Sequence, residues 1–562
     1  MTSGYAIATL VVFIISIFFV IRPVSIPTPH PIPRIPLNLT TAPILAILLL
    51  WAAQCIDPAV IRNGIVGTEG IKPYNILILF FSLAYMAITL DITGILRAAA
   101  FWVGNMGGYN GWKLYLYFYI MLTLLSILLG NDPVILSGTA FLVYYTEVAH
   151  ISPIAWIMAE FAAANTASMV LFVGSPTNVG IFYIRRFRAE RVQVVICEGF
   201  NVNNAAFTAY TILPFLACNI FCFVALAFQY RNQVPRKLSR VARQDPRSAL
   251  LDPLGAWVGS IMLGVMLILC LVVNFYGIDV WMISLPFAVA KFLFDLGWDH
   301  YRRIRGIQIL GRGSQSSLED EEAAVRPHQG DEETAIGSQQ GDEETAVGSQ
   351  QGDQETTVGS LQGDKQSPSA SDETTGIPPI FNQPYLNSLH RRLNHYFPTL
   401  VTALPRLPFA LVPFAFSQFI LIEALGHQGL VEVFAHWLNR ASHNQMHPTI
   451  WLIGILGVIL CNISGTNIGA TILLTKVVRA AALPYDANRA AAIALAVASN
   501  IGAVSFTFSA SLVGLLWRAI LGQRGIIVRQ REFAFWNLLP LLVMTSVGLG
   551  VVSAEMAVLF QS

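Results

Sequence analysis

The feature that most constrains this chain is the recurrence of long apolar runs. Segments near 41–57, 74–90, 113–130, 154–173, 206–229, 254–275, 278–296, 399–425, 448–461, 488–508 and 533–558 carry few charges. A helix needs ~20 apolar residues to cross hydrocarbon, and within a bilayer a helix satisfies its own backbone N–H and C=O groups. Only 12% of the 562 residues are charged, against roughly a quarter in a soluble domain. The sequence therefore predicts an all-α polytopic membrane protein with about 12 transmembrane helices. A soluble enzyme, a nucleic-acid binder and a secreted disulfide scaffold are excluded. The six cysteines show neither a disulfide framework nor metal spacing. Cys218 and Cys222, four apart, suit apolar packing on one helix face, and no metal or cofactor is implied.

Charge divides the chain further. Between Glu319 and Glu373 lie 15 of the 33 acidic residues and only two bases, Arg326 and Lys365. An 11-residue unit beginning at Gly330 recurs at Gly341 and Gly352. Such an acidic, Gln/Ser/Gly-rich stretch cannot bury a core and is expected to be disordered. The organisation read from this is 1–39, a first span (Tyr5 to Ile21, with no basic residue before it and so not a cleaved signal) and a proline-rich extended linker; 40–300, a first membrane repeat with connecting spans; 301–395, the acidic loop; and 396–562, a second repeat. The basic loop at Arg231, Arg236, Lys237, Arg240, Arg243 and Arg247 and the bases flanking the acidic loop, two spans apart, both fit the cytoplasmic side. The cluster Arg185, Arg186, Arg188 and Arg191, one span earlier, does not fit that assignment.

The two halves repeat each other in chemistry as well as hydropathy. Leu90-Asp91-Ile-Thr-Gly94 corresponds to Leu425-Gly426-His-Gln-Gly429, and Ala164-Asn165-Thr166-Ala167-Ser168 to Ser499-Asn500-Ile501-Gly502-Ala503, both at an offset of 335. Between them, Asn131 to Thr139 corresponds to Asn462 to Thr471 at 331–332. Secondary transporters are built from duplicated halves, often inverted, with the site where the repeats meet. Asn, Asp, Thr and Ser are costly at membrane depth unless they pair or line a cavity. Pro133, Gly138, Gly174 and Pro176 are expected to break helices, giving each repeat a re-entrant hairpin, at 131–149 and 462–478, beside a broken helix whose exposed termini face an ion or anion.

These blocks resemble the ion transporter superfamily, which holds arsenical pump membrane proteins, citrate and dicarboxylate transporters and some sodium/proton antiporters. Leu90-Asp91-Ile-Thr-Gly through Gly130-Asn131-Asp132 is similar to the arsenical-pump branch. Ala164-Asn-Thr-Ala-Ser168 with Gly174-Ser175-Pro-Thr177-Asn178 is similar to the superfamily's first substrate-binding segment, and Asn500-Ile-Gly502 to its second. The resemblance implies proton- or sodium-coupled alternating access of a small ion or oxyanion, with arsenite or antimonite efflux favoured and citrate-type transport, or a channel of the same architecture, as alternatives. It implies no catalytic residue and no nucleic-acid partner, and it is compatible with a homodimer in the bilayer.

The expected binding residues are Asn131, Asp132, Asn165, Thr166, Ser168, Ser175, Thr177 and Asn178 in the first half and Asn462, Thr466, Asn467 and Asn500 in the second. Asp132 stands between apolar stretches, where an ionised carboxylate is expensive; it is the expected coupling residue, with a hairpin cap as the structural alternative. Asp91 is the second candidate, although it could equally cap the following segment. Glu147 and Glu160 have no repeat partner and receive no role here. Lys476 and Arg479 are expected to snorkel to an interface.

Overall fold

The computed structural model describes residues 4–26, 35–67, 73–171, 204–238, 245–273, 280–306, 392–463 and 467–560. The acidic loop, the Arg185–Arg191 cluster, and Ser175, Thr177, Asn178 and Thr466 lie outside the described residues. The first half contains α1 (Gly4–Ile21), α2 (Thr41–Ala52), α3 (Pro58–Val66), α4 (Pro73–Ile92), α5 (Ile95–Gly107), α6 (Gly111–Leu129), α7 (Asn131–Val148) and α8 (Ile154–Ala167). It continues with α9 (Asn204–Gln229), α10 (Pro253–Val273) and α11 (Trp281–Ile304). The second half runs α12 (Pro398–Ala403), α13 (Leu411–His427), α14 (Leu430–Ser442), α15 (Met446–Ile463), α16 (Asn467–Ala480), α17 (Tyr485–Ile501), α18 (Leu512–Gln523) and α19 (Gln530–Phe560). Among the described residues, nine helical stretches are long and apolar enough to span a membrane.

Two expectations need revision. Residues 131–149 do not fold back as a short hairpin; they form one 18-residue helix, α7. Pro133 sits in its first turn, where the missing N–H costs nothing because it would have had no helical partner. The reversal is made instead at Gly130, whose φ of +84° suits a residue without Cβ. The proline-rich linker is also not simply extended: its flanks Val24–Ile26 and Ile35–Leu37 pair as two antiparallel strands, Val24 opposite Leu37.

The duplication is carried by the helices themselves. α5 and α14 begin 335 residues apart, each after a glycine in the left-handed region, Gly94 at φ +87° and Gly429 at φ +72°. α6 and α15 begin at the same offset, and α9 and α19 each contain an interior proline, Pro214 and Pro540. Packing repeats as well: α6 on α8 as α15 on α17, α7 on α8 as α16 on α17, and α8 on α9 as α17 on α19. The halves then interlock, with α9 along α19, α8 against α17 and α7 against α18. Gly548 permits a close approach of α19 to α9, since a Cβ there would lie 2.8 Å from Cys218 Sγ and 3.1 Å from Ile501 Cδ1.

One ionic network joins the ends of the two halves. On α11, Lys291 pairs with Asp295, which also accepts a hydrogen bond from the Tyr85 hydroxyl at 3.0 Å. One turn further, Arg302 pairs with Asp299 and, at 3.1 Å, with Asp252. Asp299 then accepts from the Thr399 amide and hydroxyl, both at 2.9 Å, and Arg303 lies 3.5 Å above the Tyr396 ring. The two flanks of the acidic repeats are therefore fastened together by groups outside residues 311–375. Excising residues 311–375 is expected to leave membrane insertion and the thermal midpoint of the purified protein unchanged. Asp299→Ala, which leaves the buried guanidinium without its nearest partner, should destabilise by roughly 3 kcal/mol; a thermal melt in detergent checks both.

Candidate substrate site

α8 and α17 are the least exposed helices of the fold. Every side chain from Ala155 to Ala167, and from Ala490 to Ile501, is buried. Helices of 14 and 17 residues fall short of ~30 Å of hydrocarbon at 1.5 Å per residue, and their last residues, Asn165–Ala167 and Ser499–Ile501, are buried inside the protein. They end on polar sequences. Near the end of each, an asparagine amide donates to the carbonyl one turn back at the same distance: Asn165 Nδ2 to Phe161 O and Asn500 Nδ2 to Ala496 O, both 2.8 Å. This bond fixes each amide and holds its carbonyl oxygen in a set direction.

In the first half that oxygen meets Asn131, the first residue of α7, whose Nδ2 lies 3.5 Å from Asn165 Oδ1. Asp132 follows, half-buried and with no hydrogen-bond or ion-pair partner among the described residues. The Thr166 hydroxyl donates to Ala162 O at 2.7 Å and lies 3.4 Å from Met544 Sδ of α19, so this end of the first repeat touches the second. Ser168 is buried and donates to Ala164 O at 3.2 Å. Asn467 opens α16 as Asn131 opens α7, and it is buried. The first turn of each of these helices carries the partial positive charge of a helix N-terminus.

Asn462 is used differently. Its Oδ1 accepts the backbone amides of Phe506 at 2.8 Å and Thr507 at 3.2 Å, holding the non-helical break between α17 and α18. At the 335-residue offset the counterpart of Asp132 is Asn467, one position from the register in which Asn131 and Asn467 each open a helix, and neither register pairs Asn131 with Asn462. Asp91 is committed: it accepts from the Ser137 hydroxyl and, at 3.4 Å, from Arg406. Lys476, rather than reaching an interface, is paired with Glu423 of α13. Each repeat thus ties its first long helix to its fourth through a carboxylate, Asp91 to α7 and Glu423 to α16. Arg406 and Glu423 have no motif that marks them; their partners are set by the packing of α12 and α13. Among the described residues no group of three or more His, Cys, Asp or Glu side chains could hold a metal.

Such a site offers amide, hydroxyl and helix-terminal donors, and one carboxylate free to take up a cation. If the two asparagines are equivalent ligands, Asn165→Ala and Asn500→Ala should each raise the half-saturating substrate concentration about tenfold, the worth of one lost hydrogen bond, without loss of protein from the membrane. Equilibrium binding to purified variants checks this; an unchanged constant in either one breaks the equivalence.

The family model for citrate transporters (CitMHS) matches residues 6–304, just over half of the chain and all of its first membrane half. A search of curated proteins finds no match. The matched region includes α4 to α9 and thus the Asn131–Asn165 node, and the second half repeats it helix by helix. With nine membrane-length helices among its described residues, the chain belongs to the citrate transporter family within the ion transporter superfamily, as an integral multi-pass transporter of small anions.

Proposed function

We propose that this chain moves a citrate-type carboxylate across the membrane by coupled alternating access. The substrate is bound between the ends of α8 and α17, and a proton or sodium ion is loaded at Asp132. The observation that carries the reading is the Asn131–Asn165 contact, with an unpartnered carboxylate one residue away. Amides and helix N–H groups donate to a carboxylate without a fixed counter-charge that would hold it too tightly to be released. Coupling follows from magnitude. Each charge crossing 100 mV is worth about 2.3 kcal/mol, so a tricarboxylate trianion faces roughly 7 kcal/mol when it enters against a negative interior. Without co-transported cations, accumulation would be opposed by a factor of about 10⁵ in concentration.

Arsenite efflux, the substrate class favoured by the motif resemblance at Gly130-Asn131-Asp132, is the competing reading, and one assay separates the two. Purified protein in proteoliposomes is given citrate, succinate or arsenite, each with and without a pH or sodium gradient. Gradient-driven accumulation of citrate is expected; accumulation of arsenite alone, or flux that never exceeds equilibrium, would replace the reading with an arsenical carrier or a channel. Asp132→Asn keeps size and hydrogen bonding but cannot titrate. It should abolish uphill transport and flatten its pH dependence while citrate binding persists. Wild-type uphill transport by Asp132→Asn would make Asp132 a helix cap.

A further inference from the structure

Glu160 is the single charged residue in the apolar run 154–173, and it is completely buried. Its Oε2 accepts from the Thr139 hydroxyl of α7 at 2.8 Å, and its Oε1 has no partner. That unpaired oxygen abuts Gly138 so closely that a Cβ built there would overlap it, with Leu122 of α6 next in line at 3.3 Å. A recess lined by Leu122, Val134, Ser137 and Gly138 runs alongside. Among the described residues no cation is hydrogen-bonded or ion-paired to Glu160. Of the helices packed on α8, α6 carries Lys113 at its exposed start and the phenols Tyr115, Tyr117 and Tyr119; α7 carries Asp132, Tyr144, Tyr145 and Glu147. α9 contributes Tyr210 and the thiols of Cys218 and Cys222, and α17 only Tyr485, Asp486 and Arg489 at its start, the last committed to Tyr210. α18, whose Trp517 ring meets Phe161, carries Arg518, set over the Phe508 ring, and α19, whose Phe533 also meets Phe161, carries Arg531, Glu532 and Glu555.

The second repeat shows what this position holds when nothing but packing is required. At the 335-residue offset the counterparts of Leu122, Thr139 and Glu160 are Gly457, Leu474 and Leu495, and those three do meet. A Cβ on Gly457 would lie 3.7 Å from Leu495 and 3.8 Å from Leu474. One repeat fills the α6–α7–α8 junction with two leucines over a glycine; the other builds a carboxyl, a hydroxyl and a glycine that leaves the carboxyl room. An isolated ionised carboxylate sealed from water is among the costliest placements in a protein, and a hard cation would want several oxygens, whereas among the described residues Thr139 is the one side chain hydrogen-bonded to Glu160.

We propose that Glu160 is a proton-binding site of the transport cycle, distinct from Asp132, with Thr139 and Gly138 shaping it. It rests on the reading of the chain as a coupled transporter and supplies part of the compensating charge that a multivalent anion demands. The site lies about one and a half helical turns from Asn165 on the same helix, so movement of the end of α8 on substrate release would change its exposure to water.

The test uses full-length protein in proteoliposomes with Glu160→Gln and with the graft Leu122→Gly/Thr139→Leu/Glu160→Leu, which copies the packing of the second repeat and so guards against a variant that merely fails to fold. Two readouts are taken: the pH profile of initial citrate uptake, and the infrared carboxylic-acid C=O band followed against pH. Both variants are expected to elute as folded protein and to lose the pH response attributable to one carboxyl. Wild type is expected to show a buried-acid band that titrates and is missing from Glu160→Gln. A wild-type pH profile in Glu160→Gln, or the absence of a titrating band attributable to this residue, overturns the proposal. If wild type carries no citrate, the substrate reading fails by itself, and the infrared band alone decides for or against Glu160.

Discussion

The arrangement depends on one constraint: α8 and α17 place polar helix ends inside a membrane-embedded body, where no water satisfies a stray amide or hydroxyl. The protein meets this locally. Asn165, Asn500, Thr166 and Ser168 each bond to a carbonyl three or four residues back on their own helix. Around them α6, α7 and α9, and in the second half α15, α16 and α19, form a shell that keeps lipid away from both helices. The long apolar spans are thus support for two short helices that could not exist alone.

The same economy governs the charges. Buried ions are tolerated where each has a partner, as in the Lys291–Asp295 and Arg302–Asp299–Asp252 pairs on the α11 side. Removing one member would leave an uncompensated charge, at a cost of roughly 3–5 kcal/mol, so these pairs act as fasteners. Asp132 and Glu160 are the contrast: among the described residues one has no partner, the other a single hydroxyl. A carboxylate held at membrane depth without a cation is better suited to taking up a proton or an ion than to holding helices together.

Much of this was legible in the sequence. The 335-residue offset read from Asn165 and Asn500 is the offset at which α5 and α14, and α6 and α15, begin, because duplicated helices keep their polar punctuation. What failed to read through was local or long-range. Pro133 looked like a breaker but falls in the first turn of α7, where proline is harmless. The runs 154–173 and 488–508 are expected from the sequence to include broken helices, but where the helices stop, at Ala167 and Ile501, is not legible there, since apolar composition cannot distinguish a lipid-facing helix from one enclosed by protein. The partner of Asp91, Arg406, lies 315 residues away, and no local pattern encodes such a pair. Glu160 was visible as a lone acid in an apolar run; its meaning appears only beside the leucine that occupies its counterpart.

The central claim is that one substrate is held by both repeats, between the buried ends of α8 and α17. The most direct measurement is a cryo-electron microscopy map of the protein in lipid nanodiscs with saturating citrate, compared with a map without it. The account predicts citrate density in contact with both the Asn165 and Asn500 side chains, absent from the citrate-free map. Ligand density confined to one repeat, or lying away from both asparagines, would contradict it.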